Sequence, residues 1–394
     1  MFDMRDRAAS VSTRSPDRRD ACATDVAASR AEQSAQATAP ATTALDHFLC
    51  DTQFAAHDPA ALGDVLRALI EHGYDRAPFM PLPGQGQTLT RWRSLAAVAA
   101  RDLGLVKLFE GHTDALAILA ELRAPTPPAE SRWAVWAAEP PDARVQAIAE
   151  DAASPARDIA QTLHLNGTKA WCSGAAVVSH ALVTAWLDDQ PVLAAVAMDH
   201  PSVSIDASKW QAVGMQATAS ADVLFDHTPA TLIGGAHAYV RRPGFWHGGA
   251  GIAACWYGAA AHVGRMLRDA SAQRADAHRL AHLGAVEVAL SGAAAVLRET
   301  AAHIDADPRA DAQRACMRAR LVVEEAAGAV MSHATRTLGA GPLCRDARFA
   351  RLLADLPVFL RQSHAERDLA GLGELIVNAT TQTDSHSGGA LWPL

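Results

Sequence analysis

The apolar positions of this chain change their period twice. From Leu45 they recur at helical spacing. Asp58-Pro59 is a helix start with Pro at the first helical position. Leu62, Val65, Leu66, Leu69 and Ile70 then follow at i, i+3, i+4 spacing before Gly73. Pro78 to Gly86 is a Pro/Gly-rich loop, further helices are predicted near 90–103 and 113–122, and "APTPPAE" (124–130) reads as a linker. From Arg132 the period shortens to two, and strands are predicted at 133–136, 181–186, 192–198 and 222–225. In "LHLNGTKAWCSG" (163–174), Asn166-Gly167 between alternating residues predicts a two-residue hairpin turn. After Pro243 the helical period returns. Long helices are predicted at roughly 248–273, 276–304 and 308–338, the third opened by Asp307-Pro308 and closed by Gly339 to Pro342. A fourth helix or pair is predicted over 345–378.

This order predicts an α+β fold. It comprises an N-terminal helical domain (45–130), a middle β-barrel domain (131–240) and a C-terminal four-helix bundle (241–380). Residues 1–44 are rich in Ala, Ser, Thr, Arg and Asp with almost no large apolar groups, which predicts a disordered leader. Residues 381–394 form a tail.

Composition narrows the function classes. The 394 residues are 49% apolar and 20% charged, a globular balance. A net charge of −8 leaves no basic surplus to neutralise phosphates, so nucleic acid is not expected as a partner. The six cysteines are scattered without a CxxC pair, as expected of thiols in a reducing cytoplasm. The N-terminus has no apolar signal core, and the 14-residue run Gly248 to Ala261 is too short to span a bilayer. A soluble, cytoplasmic protein without a membrane partner is expected. His278 and His282 stand four apart on a helix but lack a third ligand, so no metal is expected. "HGGA" (247–250) has no GxSxG nucleophile to serve.

Four segments together resemble the acyl-CoA dehydrogenase family of flavoproteins. "WAVWAAEPP" (133–141) is similar to the family's segment ending in Thr-Glu-Pro, and "LNGTKAWCSGA" (165–175) to its Gly-x-Lys-x-Trp-Ile-Thr-Asn-Gly stretch. "GMQATASADVLFDHTPA" (214–230) resembles the strand pair before the last helical domain, and "LGAGPLCRDARFARL" (338–352) the Gly-Gly-x-Gly loop with its Arg-Asp-Ala helix. The resemblance implies FAD as cofactor, with Trp171 packed on the flavin ring, Ser173 supplying a hydroxyl, and Ala138 and Glu139 beside it. Arg279, in "HRLAHLG" (278–284), would meet the flavin diphosphate across a subunit boundary, and Gly339, in the Gly-Gly-x-Gly loop, is a further cofactor-binding residue. It therefore also implies a homodimer or homotetramer.

The departures concern the chemistry. The family's Thr before Glu-Pro is Ala138 here. The glutamate that removes the substrate α-proton falls at Ala354 or, in other members, at Gly248. Asp355 and His247 are the neighbouring candidates for the base. Arg361, His364 and Asp368, at i, i+3, i+7 on the last predicted helix, share one face, which is either a solvated salt-bridged face or a polar cluster with His364 as a third catalytic candidate. The leading expectation is an FAD-dependent oxidoreductase that dehydrogenates an acyl thioester, such as a CoA ester, or a related small substrate. The alternatives are a flavin monooxygenase on the same fold, or a non-catalytic ligand-binding or assembly protein that has lost the carboxylate.

Overall fold

The computed structural model describes residues 43–150 and 161–382. The expected leader lies outside the described residues except for 43 and 44, which open a first helix, α1 (43–51). Of the expected tail, 383–394 lie outside them, and 381–382 end the last helix.

Three helices follow: α2 (Pro59–Glu71), α3 (Thr88–Arg101) and α4 (Leu103–Glu121). Asp58 caps α2 by accepting the Ala60 N–H at 2.9 Å, the expected role of that residue type. The second of the two helices predicted next starts ten residues earlier than expected. Asp102 has an extended backbone, accepts the Leu105 N–H at 2.9 Å, and so ends α3 and starts α4 at once.

The middle segment contains seven strands: β1 (Trp133–Trp136), β2 (Val145–Ala149), β3 (Thr162–Cys172), β4 (His180–Leu187), β5 (Gln190–Ala197), β6 (Val203–Asp206) and β7 (Ala221–Gly234). They pair in the order β1-β4-β2-β3-β7-β5, and β5 pairs back onto β4. Five strands thus close into a ring, with β1 added along β4 and β6 along β7. Closure leaves few backbone donors and acceptors at an edge.

The predicted hairpin turn at Asn166-Gly167 is not there. β3 runs straight through it, paired with β2 on one edge and β7 on the other. The two residues instead form a bulge: Gly167 takes φ +115°, the β3–β7 register shifts between Leu165 and Gly167, and Asn166 Oδ1 accepts the His227 N–H at 2.8 Å. The local signal for a positive φ was sound, but pairing on both edges decides that it bends a strand rather than ends one. A turn does follow Trp171, over residues 173–177.

The C-terminal segment holds the short α5 (Ala238–Arg241), the long α6 (Gly244–Gln273), α7 (Ala277–Ala306) and α8 (Gln313–Leu338), and then α9 (Ala340–Arg345), α10 (Ala347–Leu360) and α11 (Glu366–Gln382). α8 starts at Gln313, five residues beyond the predicted Pro308. α10 continues through Pro357 and ends three residues later at Leu360. Arg361, His364 and Asp368 therefore do not share one helix face. The first two lie in the turn between α10 and α11, and Asp368 Oδ2 accepts the His364 N–H at 3.0 Å. One helix among the described residues, α7, is long and apolar enough to cross a membrane by length and composition, and only 17% of its apolar window is buried.

The N-terminal and C-terminal helices share one hydrophobic core. Leu66, Leu95 and Phe109 from the first set join Trp256, Val330 and Phe359 from the second. The barrel has its own core around Leu163, Val183 and Phe225. α3 and α6 come closest where Gly258 faces Ala96, and a Cβ on Gly258 would overlap the Ala96 carbonyl. Gly258→Ala is expected to force the two helices apart and to cost about 1–3 kcal/mol. Urea unfolding would check this, and an unchanged midpoint would refute the close approach.

Candidate functional site

A cavity of about 1090 Å³ opens where α4, the strand ends of the barrel and the C-terminal helices meet. That is room for a cofactor ring and a small substrate together, since single-ligand pockets run from about 300 to 1,000 Å³. Its barrel wall carries Trp171 and Ser173 from the end of β3, and Ala138 and Glu139 from the segment after β1. These four residues are thus brought together.

Trp171 is 59% exposed, so it is not a core residue. It also takes φ +58°, the left-handed region, which costs a non-glycine residue free energy and concentrates at functional sites. Beside it, Ser173 Oγ lies 2.8 Å from Ser220 Oγ, which lies 3.0 Å from Thr218 Oγ1. Trp136 Nε1 donates to the Ser173 carbonyl at 3.2 Å and fixes the turn. An uncovered indole beside a row of hydroxyls, with alanines at 137 and 138 leaving the wall bare, fits a flat ring with an apolar face and a polar edge. These residues fit a flavin.

Glu139 is fully engaged by protein donors. Its Oε1 accepts from Thr184 Oγ1 at 2.9 Å and from Lys169 Nζ at 3.3 Å, and its Oε2 accepts from Trp186 Nε1 at 3.0 Å. Lys169 is fully buried and donates also to the Thr184 carbonyl and hydroxyl at 2.9 and 2.7 Å. Burial pushes its pKa down, and Glu139 opposes that shift.

The candidate bases are dispersed. Asp355 is 5% exposed and does not line the cavity. Its Oδ1 accepts the Met215 N–H at 2.5 Å and so pins the loop that lines it. Burial raises its pKa to about 6 against that hydrogen bond. His247 is buried behind the wall with Nε2 unpartnered among the described residues, and burial holds its pKa below the ordinary imidazole value. Of the three, only His364 lines the cavity, with Nδ1 3.5 Å from Asp368 Oδ1. Arg279 and Gly339 lie elsewhere. Arg279 Nη1 donates to the Ala270 carbonyl at 3.2 Å near the start of α7, and Gly339 ends α8 facing open space. His282 Nδ1 lies 2.8 Å from His333 Nδ1, and the described residues hold no group of three possible metal ligands.

The opposite wall was missed. α4 presents Lys107, Glu110 and Asp114 to the cavity, and Arg242 and Arg320 face it from the C-terminal side. Glu110 is 6% exposed, and burial raises its pKa to about 7, with Lys107 opposing and Asp114 reinforcing the shift. Arg242 Nη1 donates to Glu121 Oε2 at 2.9 Å. Arg320 donates to the Gly249 and Gln362 carbonyls at 2.7 and 3.1 Å and lies over the Trp256 ring. The sequence carried a signal: in "LVKLFEGHTD" the charged residues recur at i, i+3, i+7 inside an apolar run.

No protein-family model and no curated protein matches the sequence. Solved structures do match. FMN-bound TdsC from Paenibacillus sp. A11-2, a dibenzothiophene monooxygenase, is similar at 19% identity and TM-score 0.63, covering 82% of this chain and 97% of that one. KijD3, in complex with FMN and an amino-deoxy-keto sugar nucleotide, is similar at 18% identity and TM-score 0.67, covering 89% of this chain and 96% of that one. The methanesulfinate monooxygenase MsuC from Pseudomonas fluorescens is similar at 17% identity and TM-score 0.67, covering 90% and 99%. These are flavoenzymes of one architecture, and the likeness is one of fold: the chain has the acyl-CoA dehydrogenase fold.

Proposed function

We propose that the chain is a flavin-dependent oxidoreductase, and that it oxygenates a small polar substrate rather than dehydrogenating an acyl thioester. The observation that carries this reading is the charge on the cavity wall. An acyl chain needs an apolar slot, and burying it against Lys107, Glu110, Asp114 and Arg320 would strip those groups of water without replacing it. The monooxygenases among the structures of the same fold support the same choice. A bound flavin would supply the redox chemistry.

The chain's own residues then have distinct tasks. Trp171 covers one face of the ring. Ser173 and Ser220 meet its polar edge. Asp355 holds the Met215 loop in place, and Glu110 is the buried carboxyl that holds a proton near neutrality. FAD is the expected flavin if a second copy brings Arg279 and Gly339 to its diphosphate, and a chain that acts alone would retain FMN equally well. The uncovered face of α7, with Leu280 and Val288 at 52% and 75% exposure, is where such a copy would sit.

Trp171→Ala is expected to weaken flavin binding about tenfold, since stacking on an aromatic side chain contributes about 1–3 kcal/mol. The fold should be untouched, because the side chain is exposed. Flavin titration followed by tryptophan fluorescence and melting temperature measures both, and unchanged flavin affinity would refute the assignment. Anaerobic addition of butyryl-CoA to the flavin-loaded protein should leave the oxidised flavin spectrum as it was. Bleaching without added reductant would restore the dehydrogenase reading.

A further inference from the structure

We infer that the α4 wall of the cavity seats a protonated amine, whose ammonium head is held by the Glu110 and Asp114 carboxylates. The inference rests on reading this cavity as the substrate site. The two residues stand four apart on α4 and line the cavity one turn from each other. Lys107 is the ion-pair partner of Glu110, and no described residue donates a hydrogen bond to Asp114. Glu110 is 6% exposed, and its closest cation, Lys107 Nζ, stands 3.7 Å from Oε2, outside hydrogen-bonding reach. Asp114 also reaches α6 closely. A Cβ on Gly248 would stand 2.7 Å from Asp114 Oδ1, so α6 carries glycine where the carboxylate enters.

The surrounding charges do not fill these acceptors. Arg91, buried on α3, donates to the Pro81 carbonyl at 3.3 Å. Arg242 is taken by Glu121, and Arg320 by two carbonyls. Tyr239 on α5 and the Cys255 thiol on α6 also feel the Glu110 charge, and burial raises both their pKa values. What remains open is a set of carboxylate lone pairs and the Arg242 Nε, which is buried without a partner among the described residues. An ionised carboxylate only accepts, so the group that completes it must donate. An ammonium brings three N–H donors and the charge that strengthens each bond. A hydroxyl brings one, and a carboxylate head brings none.

Binding then moves a proton. Burial raises Glu110 to about 7, so at neutral pH the empty site holds its proton part of the time. Arrival of the ammonium ionises Glu110, and that proton leaves to solvent, while the amine keeps its own three. Binding is therefore expected to release a fraction of one proton and to strengthen as pH rises through about 7.

The test is calorimetric titration of the flavin-loaded protein near neutral pH with benzylamine, benzyl alcohol and benzoate, in two buffers of different ionisation heat. Benzylamine is expected to bind about tenfold or more tightly than either analogue, with heats that differ between buffers by the released proton. Glu110→Gln and Asp114→Asn should each weaken benzylamine about tenfold, and Glu110→Gln should abolish the buffer dependence. Circular dichroism and the flavin band check that both variants fold and load. Equal affinity for the alcohol, tighter binding of benzoate, no binding of benzylamine, or a folded Glu110→Gln that binds like the wild type would each overturn the inference. Repeating the titration on flavin-free protein separates the two readings: failure to load flavin sinks the proposed function, and loss of amine preference sinks this one.

Discussion

Between about pH 4 and pH 7.5, Asp355→Asn is expected to gain about 3 kcal/mol of stability on the wild type. The carboxyl is buried under the Met215 loop, and burial raises it from 3.8 to about 6. The folded chain holds this proton more tightly than the unfolded chain. Its stabilising effect is therefore fully present below pH 3.8 and is lost as pH rises through about 6. Asn cannot titrate, so the variant does not share that loss. Glu110 acts in the same direction between 4.5 and about 7, while His262, held down to about 4 by burial, acts in the opposite direction, so the effect of Asp355 is read in the difference between the two proteins. Urea unfolding of both proteins at the two ends measures the change. A difference between them that stays constant across pH would show that Asp355 does not titrate there.

Lys169→Ala is the other large effect, expected to cost about 3–5 kcal/mol. The ammonium is fully buried on three acceptors: the Thr184 carbonyl, the Thr184 hydroxyl and Glu139. Truncation takes a donor and the countercharge from these acceptors, leaves Glu139 held only by Thr184 and Trp186, and leaves a hole where the butyl stem was. Lys169→Met fills the hole but still removes the buried donor and the Glu139 countercharge, and should cost about 1–3 kcal/mol. The order wild type, Met, Ala in melting temperature is the signature. If both variants melted with the wild type, the contact would contribute nothing. Lys169 lies two residues before Trp171 on the same strand, so flavin affinity should fall in the same order.

Much of the fold was legible from period alone, because long helices and buried strands advertise themselves. β1 falls on its predicted residues, and α6 and α7 nearly so. The errors have specific causes. Asn166-Gly167 has the chemistry of a turn, and only the pairing of β3 on both edges makes it a bulge. α4 was begun ten residues late because Asp102 was read as interior rather than as a cap. That one slip concealed Lys107, Glu110 and Asp114, since a polar stripe has no meaning until the helix is there to align it. The barrel wall of the cavity, in contrast, followed from the resemblance. Asp355 shows the limit of position in sequence: one residue from an expected carboxylate, it holds a loop from behind.

The shared core of the helical segments bears on how the chain is made. α3 packs on α6, with Ala96 against Gly258, yet the whole barrel is translated between them. At about 5–20 residues per second, the apolar faces of α2, α3 and α4 emerge on the order of ten seconds before their partner. During that interval the barrel can close on its own core while the first helices stay uncovered. A ribosome stalled before α6 should therefore carry a nascent chain with a protease-resistant barrel behind a segment that chaperones bind. The contacts that complete the folded molecule are also its slowest to form, because they join its most distant stretches.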